Sequence, residues 1–555
     1  MARRIRWQIV IAVISSLLIT GLLGRLALLN SSVASPLVGG AYVESVIGAP
    51  VEINPLLNDP LADPAGRSVA ALLFDGLVTI GADGLPEPAL ATSWTVDPDG
   101  EVYTFVLRRN VLWHDGQPFT ADDVLFTLRA IQSPDFTGDP LLAQLWRNVQ
   151  VDRLDAATLR IRLDAPYAPF LALARVPILP AHSLAGFPIA TWPTLAFARQ
   201  PIGTGPFQLT ELNNAHALLQ ANSTYYRGRP FIDSVELRFI DTAQAAIAAL
   251  MRGETLALGT AGVGDLRQVT LPTNVDRVRV PLDEYAVLTF NLRRAPLDRQ
   301  PLRLALAQGL DKDLLVSDAV GVEGQRLDTP ILPGWWAYDP AATWYAYDTA
   351  EATKLLGELG YTLGADGMLT RDGQPLVLPL ITDNEAGRLA AARSLARQWG
   401  AIGVKVEIEQ LDRDELLRRL RSHDFTLALH AWARLGPDPD VYDLWHSDRA
   451  ESGLNYAGLR DATIDDVLAA ARTESELATR SDDYAVFQKR WIELVPSITL
   501  YQPRYSFVAD RRLGGLGFGG DMEGSQQLLV GREDRYRNVV RWFLNSSREI
   551  RGDLR

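Results

Sequence analysis

Cysteine does not occur anywhere in the 555 residues. Its absence excludes disulfides, thiolate zinc sites, iron–sulfur clusters and cysteine nucleophiles at once. It also excludes attachment to a membrane through a lipid-modified cysteine, so any attachment must come from the polypeptide itself. Lysine is nearly absent, with Lys312, Lys354, Lys405 and Lys489 alone among 54 basic residues. No run of basic residues follows the first few positions, and the formal net charge is -13. A phosphate-binding surface needs clustered cations that outweigh the acids, so nucleic acid is not expected as a partner. The six histidines are scattered and form neither an HExxH pair nor the partner set of a GxSxG serine. Gly515, Gly517 and Gly520 satisfy GxGxxG but have no βαβ unit behind them, which excludes a dinucleotide site.

Arg3, Arg4 and Arg6 precede an apolar run from Trp7 to about Leu23. A charged start followed by an apolar stretch reads as an export signal, and as a membrane anchor if it is left uncleaved. Ser32-Val33-Ala34 offers a small-residue cleavage site, and residues 30–40 read as a linker. Hydrophobic residues make up 47% of the chain, and its length exceeds what one core supports. Two or three globular units are expected.

The most informative stretch runs from Leu85 to Ile131. Val102 to Arg108 alternates, with Tyr103, Phe105 and Leu107 on one face, as a half-buried strand requires. Asp97-Pro98-Asp99-Gly100 is a turn that starts it, and His114-Asp115-Gly116 is a second turn. Thr120 with Asp123 three residues later forms an acidic capping box for a helix that buries Val124, Leu125, Leu128 and Ile131. The order "LA-SW-DG-YTF-LR-W-DG-PFTADDV-F" resembles the family 5 extracellular solute-binding proteins of bacterial ABC importers. Further elements agree in chain order: Asn54-Pro55-Leu56, the helix Ser68 to Leu77, Gly203-Thr204-Gly205-Pro206-Phe207, Tyr225-Tyr226, and a helix from Pro301 to Val316. From Ala386 to Trp432 a helix, strand, helix and strand alternate.

The resemblance implies an α/β fold, two-lobed and periplasmic-binding-protein-like (type II, large cluster C type), with an extra subdomain inserted in lobe one. Residues 41–78, 203–285 and 501–545 are assigned to lobe one, 79–202 to the insertion, 286–500 to lobe two, and 1–40 to the export signal or anchor with its linker. It implies an exported, extracytoplasmic protein, monomeric and without a cofactor, that takes a peptide-like or other small solute and delivers it to ABC importer permease subunits. A ligand-presenting sensor of the same fold is the alternative, and a hydrolase a weaker one.

For the ligand site the resemblance points to Trp432 through Tyr442. Peptide-binding relatives share the tryptophan and an Asp-Pro-Asp frame, here Asp438-Pro439-Asp440, and carry an aspartate three residues after the tryptophan that pairs with the peptide's α-ammonium. This sequence has Leu435 there, which would leave a buried ammonium unpaired unless Asp438 or Asp440 takes the role. Arg434 favours a carboxylate or phosphate group on the ligand. Trp432, Tyr442 and the Asn455-Tyr456 element are the remaining candidates in this region, and Asn54 is the candidate from the other lobe.

Overall fold

The computed structural model describes residues 13–22, 32–59, 63–260, 269–433, 436–517 and 528–550. Residues 13–22 are helical and exposed, and among the described residues no helix is long and apolar enough to cross a membrane. The rest of the expected export segment lies outside the described residues. The expected linker is in part a strand: Ser32–Leu37 pairs antiparallel with Asn545–Ile550.

Two large hydrophobic cores form. One collects residues from Tyr42 to Leu282 and from Tyr505 to Trp542; the other runs from Tyr285 to Tyr501 and adds Leu528. The strand Ser497–Asp510 serves both. Its first part pairs with Glu284–Phe290, and its second part pairs with Val275–Pro281 and Ala257–Thr260. The chain therefore passes between the cores in two adjacent antiparallel strands.

On the first side, Ala41–Ile47 runs parallel to Ser234–Ile240 and to Ala257–Thr260. On the second, Val377–Thr382 runs parallel to Lys405–Gln410 and to Leu427–Ala433. The registers Thr260 with Ser506 and Ala286 with Tyr501 show that both sets of parallel strands point their carboxyl ends at the crossing. Crevices outside the carboxyl ends of parallel strands are where open α/β sheets bind ligands.

The Leu85 to Ile131 stretch folds as its pattern predicts, except that Leu125 of the helix is only partly buried. Strands Ala91–Val96 and Val102–Leu107 pair antiparallel, with Tyr103, Phe105 and Leu107 buried. They belong to a four-stranded sheet completed by Thr158–Arg162 and Gln150–Asp155. The helix Ala121–Ile131 is closed by the capping box: the Thr120 N–H donates to Asp123 Oδ2 at 2.9 Å. The same carboxylate accepts from the Ala181 N–H at 2.9 Å, which fixes the helix against the next segment.

Gly203 and Gly205 are explained by close approach. A side chain on Gly203 would collide with the Leu73 carbonyl, and a Cβ on Gly205 would lie 2.5 Å from the Leu73 carbonyl carbon. The Gly205 N–H instead donates to that carbonyl oxygen at 2.8 Å, closing the end of helix Pro64–Leu73.

Two expectations differ. The helix expected over Ser68 to Leu77 is Pro64–Leu73, because Asp63 accepts from the Gly66 N–H and Pro64 suits the first turn. The single helix expected from Pro301 to Val316 is two, Gln300–Gln308 and Lys312–Ala319, because Asp311 caps the second by accepting from the Leu314 N–H at 2.9 Å.

Candidate functional site

Around the crevice, the candidate residues fall into distinct environments. Trp432, next to the end of strand Leu427–Ala433, pairs in register with Tyr285. Its ring stacks on Tyr456 at 5.2 Å with an interplanar angle of 17° and meets His430 edge-on at 5.2 Å. Trp432 remains half-buried, whereas Tyr456 is buried beneath it. The structure thus brings these two candidates together and leaves part of the Trp432 indole exposed. His430 Nε2 lies 2.9 Å from Thr289 Oγ1, and burial, reinforced by Arg388, pushes its imidazole down to about 3, so it is neutral at physiological pH.

The Asp-Pro-Asp frame is already paired. Arg480 donates to both oxygens of Asp438 at 2.9 and 2.6 Å and to the Ala471 carbonyl at 2.7 Å, and its guanidinium lies 4.9 Å over Trp336. Burial pushes the Asp438 carboxyl up despite Arg480. Asp440 accepts from Arg472 Nε at 2.9 Å and from the Tyr167 hydroxyl at 3.3 Å. Each carboxylate thus already holds an arginine. Arg434 and Leu435 themselves lie outside the described residues.

Tyr442 stacks on His446 at 4.1 Å under the Arg472 guanidinium at 4.2 Å, and its hydroxyl donates to Asp448 at 3.0 Å. Asn455 is buried and fully used by backbone: its amide donates to the Leu459 carbonyl at 2.9 Å, and its oxygen accepts from Gly458 and Leu459. It pins a loop. Asn54 closes its own turn, accepting from the Leu56 N–H at 3.1 Å. Three residues earlier in the same loop, after strand Ala41–Ile47, Val51 is 87% exposed.

Sequence reasoning missed the charged group at the crossing itself. Arg388, in the first turn of helix Ala386–Ala401, donates to both oxygens of Asp383 at 2.8 and 2.7 Å. Glu385 caps that helix, accepting from the Gly387 and Arg388 N–H groups. Glu284 opens the crossing strand opposite Ala433. The adjacent acids Asp283 and Glu284, set before the apolar run that starts at Tyr285, are the signal in the sequence.

Two cores joined by paired crossing strands, with a crevice lined by aromatic and charged side chains, define a two-lobed α/β binding protein. The family model "Bacterial extracellular solute-binding proteins, family 5 Middle" matches residues 86–452, and the chain belongs to that family. Its members are extracytoplasmic binding proteins of ABC transporters rather than enzymes. The di/tripeptide-binding protein 2 of Pseudomonas aeruginosa is 30% identical over 77% of this chain and 82% of its own length. The oligopeptide-binding protein AppA of Bacillus subtilis, solved with a nonapeptide, is 26% identical, with a TM-score of 0.68 over 92% of this chain and 100% of that one. NikZ of Campylobacter jejuni, solved with Ni(L-His), is 26% identical, with a TM-score of 0.70 over 91% of this chain and 99% of that one.

Proposed function

We propose that the chain captures a peptide or a solute of similar size between two lobes and hands it to the permease subunits of an ABC importer. The observation that carries this is the strand arrangement, in which the carboxyl ends of both sets of parallel strands meet the two crossing strands, the place where open α/β sheets bind ligands. Peptide is the favoured ligand class because two of the relatives named above bind peptides. Lobe one comprises residues 41–78, 203–285 and 501–545, with 79–202 inserted in it, and lobe two comprises 286–500. The crossing strands are the hinge.

Ligand binds Trp432, whose ring Tyr456 backs from below, and the loops that edge the crevice, with Val51 reaching in from lobe one. Binding shifts the lobes to a closed state through the ligand's greater affinity for that state. The protein acts as a monomer outside the cytoplasmic membrane, held there by its N-terminal segment where that is retained.

Small-angle scattering with and without a random tetrapeptide mixture tests closure. The radius of gyration should fall on saturation, and an unchanged value alongside demonstrated binding would remove the closure mechanism.

A further inference from the structure

Among the acids near the crossing strands and the loop that follows Trp432, one stands apart. Asp383 is held by Arg388, Glu385 by helix N–H groups, Asp438 by Arg480 and Asp440 by Arg472. Asp283 accepts from the Gly436 N–H at 2.7 Å. Glu284 is half-buried and set directly opposite Ala433, and its carboxylate makes no hydrogen bond or ion pair among the described residues.

Four charged groups act on Glu284 from a distance. Arg388 and Glu385 approach from the start of helix Ala386–Ala401, Arg413 from the start of helix Arg413–Arg421, and Arg532 from the C-terminal part of the first core. Arg388 is already committed to Asp383, so its guanidinium cannot turn to Glu284 without stranding another carboxylate. Burial pushes the Glu284 carboxyl up, and these arginines only partly offset it. A partly desolvated carboxylate without a partner is costly, and a positively charged group brought to it would relieve that cost.

The location is suited to a ligand. Glu284 begins the strand that crosses between the cores, one position from Tyr285, which pairs with Trp432. We infer that Glu284 receives a positively charged group of the bound solute, the terminal ammonium where the solute is a peptide. This rests on the crevice being the ligand site. It places the anionic contact on the crossing strand, opposite Ala433.

The test compares the wild-type chain with Glu284→Gln against two random tetrapeptide libraries lacking Lys, Arg and His, one with free amino termini and one N-acetylated. Retained peptides are counted by mass spectrometry after gel filtration, and circular dichroism checks the fold of the variant. The wild type should retain the free-amine library at least tenfold over the acetylated one; Glu284→Gln should lose that preference, and Glu284→Asp should keep part of it. Retention of the wild type's peptides should also weaken as pH falls through a range above that of an ordinary glutamate.

Equal retention of both libraries by the wild type, or an unchanged preference in Glu284→Gln, overturns the Glu284 assignment and leaves the crevice as a peptide site. Tighter binding of both libraries by Glu284→Gln also overturns it, and points to Arg532 as the partner of Glu284. Retention of neither library overturns both the assignment and the peptide reading.

Discussion

Replacing Tyr167 by phenylalanine should open the protein without unfolding it. Tyr167 belongs to the segment packed on the first core, yet its hydroxyl donates to Asp440, on the second side, at 3.3 Å. The adjacent Ala168 N–H donates to the Arg472 carbonyl at 2.9 Å, and the Arg472 guanidinium lies 5.5 Å from the Tyr167 ring. This is a contact between the two sides in addition to the crossing strands. A hydrogen bond to a charged acceptor contributes roughly 1.5–3 kcal/mol, and the length of this one places it lower, at about 1 kcal/mol. That corresponds to about a fivefold shift in the opening equilibrium. Asp440 keeps Arg472, so no charge is stranded, and the phenyl ring preserves the packing. Because the chain has no cysteine, two can be introduced at the exposed positions Arg160 and Glu358 and labelled for single-molecule energy transfer. The ligand-free variant should populate the wider separation about five times more than its parent. An unchanged distribution, or a shift toward closure, would refute the bridge.

Arg480→Ala strands the Asp438 carboxylate, whose side chain is only 12% exposed, and should cost roughly 3–5 kcal/mol in urea unfolding. Adding Asp438→Asn should recover part of that loss, whereas strictly additive costs would argue against direct pairing. Glu44, fully buried, accepts from Arg535 Nε at 2.9 Å and from the hydroxyls of Tyr42 and Tyr536 at 2.8 and 2.6 Å. Glu44→Gln leaves the buried Arg535 without its counter-charge and should lower stability by roughly 3 kcal/mol or more, read in a thermal melt; a change under about 1 kcal/mol would contradict it. Burial pushes His114 down to about 4 and His430 down to about 3, so both are neutral in the fold and take up protons on unfolding. Stability should be full above about pH 6.5 and fall as pH drops from there toward 4, with His114 contributing on the order of 3 kcal/mol. Denaturation midpoints across that range should flatten in His114→Gln, and an unchanged slope would exclude His114.

What could be read in advance was whatever local pattern determines. Tyr103, Phe105 and Leu107 alternate because one face of their strand is buried, and Thr120 with Asp123 closes a helix within four residues. The segment Gly203 to Phe207 stands out in the sequence, but the reason for its two glycines is the Leu73 carbonyl pressed against them, which no local pattern contains. The break at Asp311 was missed because the apolar period continues across it while the cap competes for the backbone. Partners distant in sequence were invisible for the same reason. Nothing near Asp438 announces Arg480, and nothing near Asp440 announces Tyr167, 273 residues away.

Those distant partners change what the Asp-Pro-Asp frame can do. A carboxylate that recognises a ligand cation must be short of a cation when the site is empty, since otherwise the ligand has to displace one already bound. Asp438 has two hydrogen bonds to a guanidinium that also stacks over Trp336 and holds the Ala471 carbonyl. Displacing it would break all of these and leave a buried arginine unpaired, a cost of several kcal/mol that one ligand ammonium cannot offset. Asp440 is likewise committed, to Arg472 and to the bridge from Tyr167. The frame therefore fixes the loop that follows Trp432 and ties it to the opposite side of the crevice. Recognition of charge has to come from a group that the fold leaves unpaired, and around the crossing strands the described acid that meets that condition is Glu284.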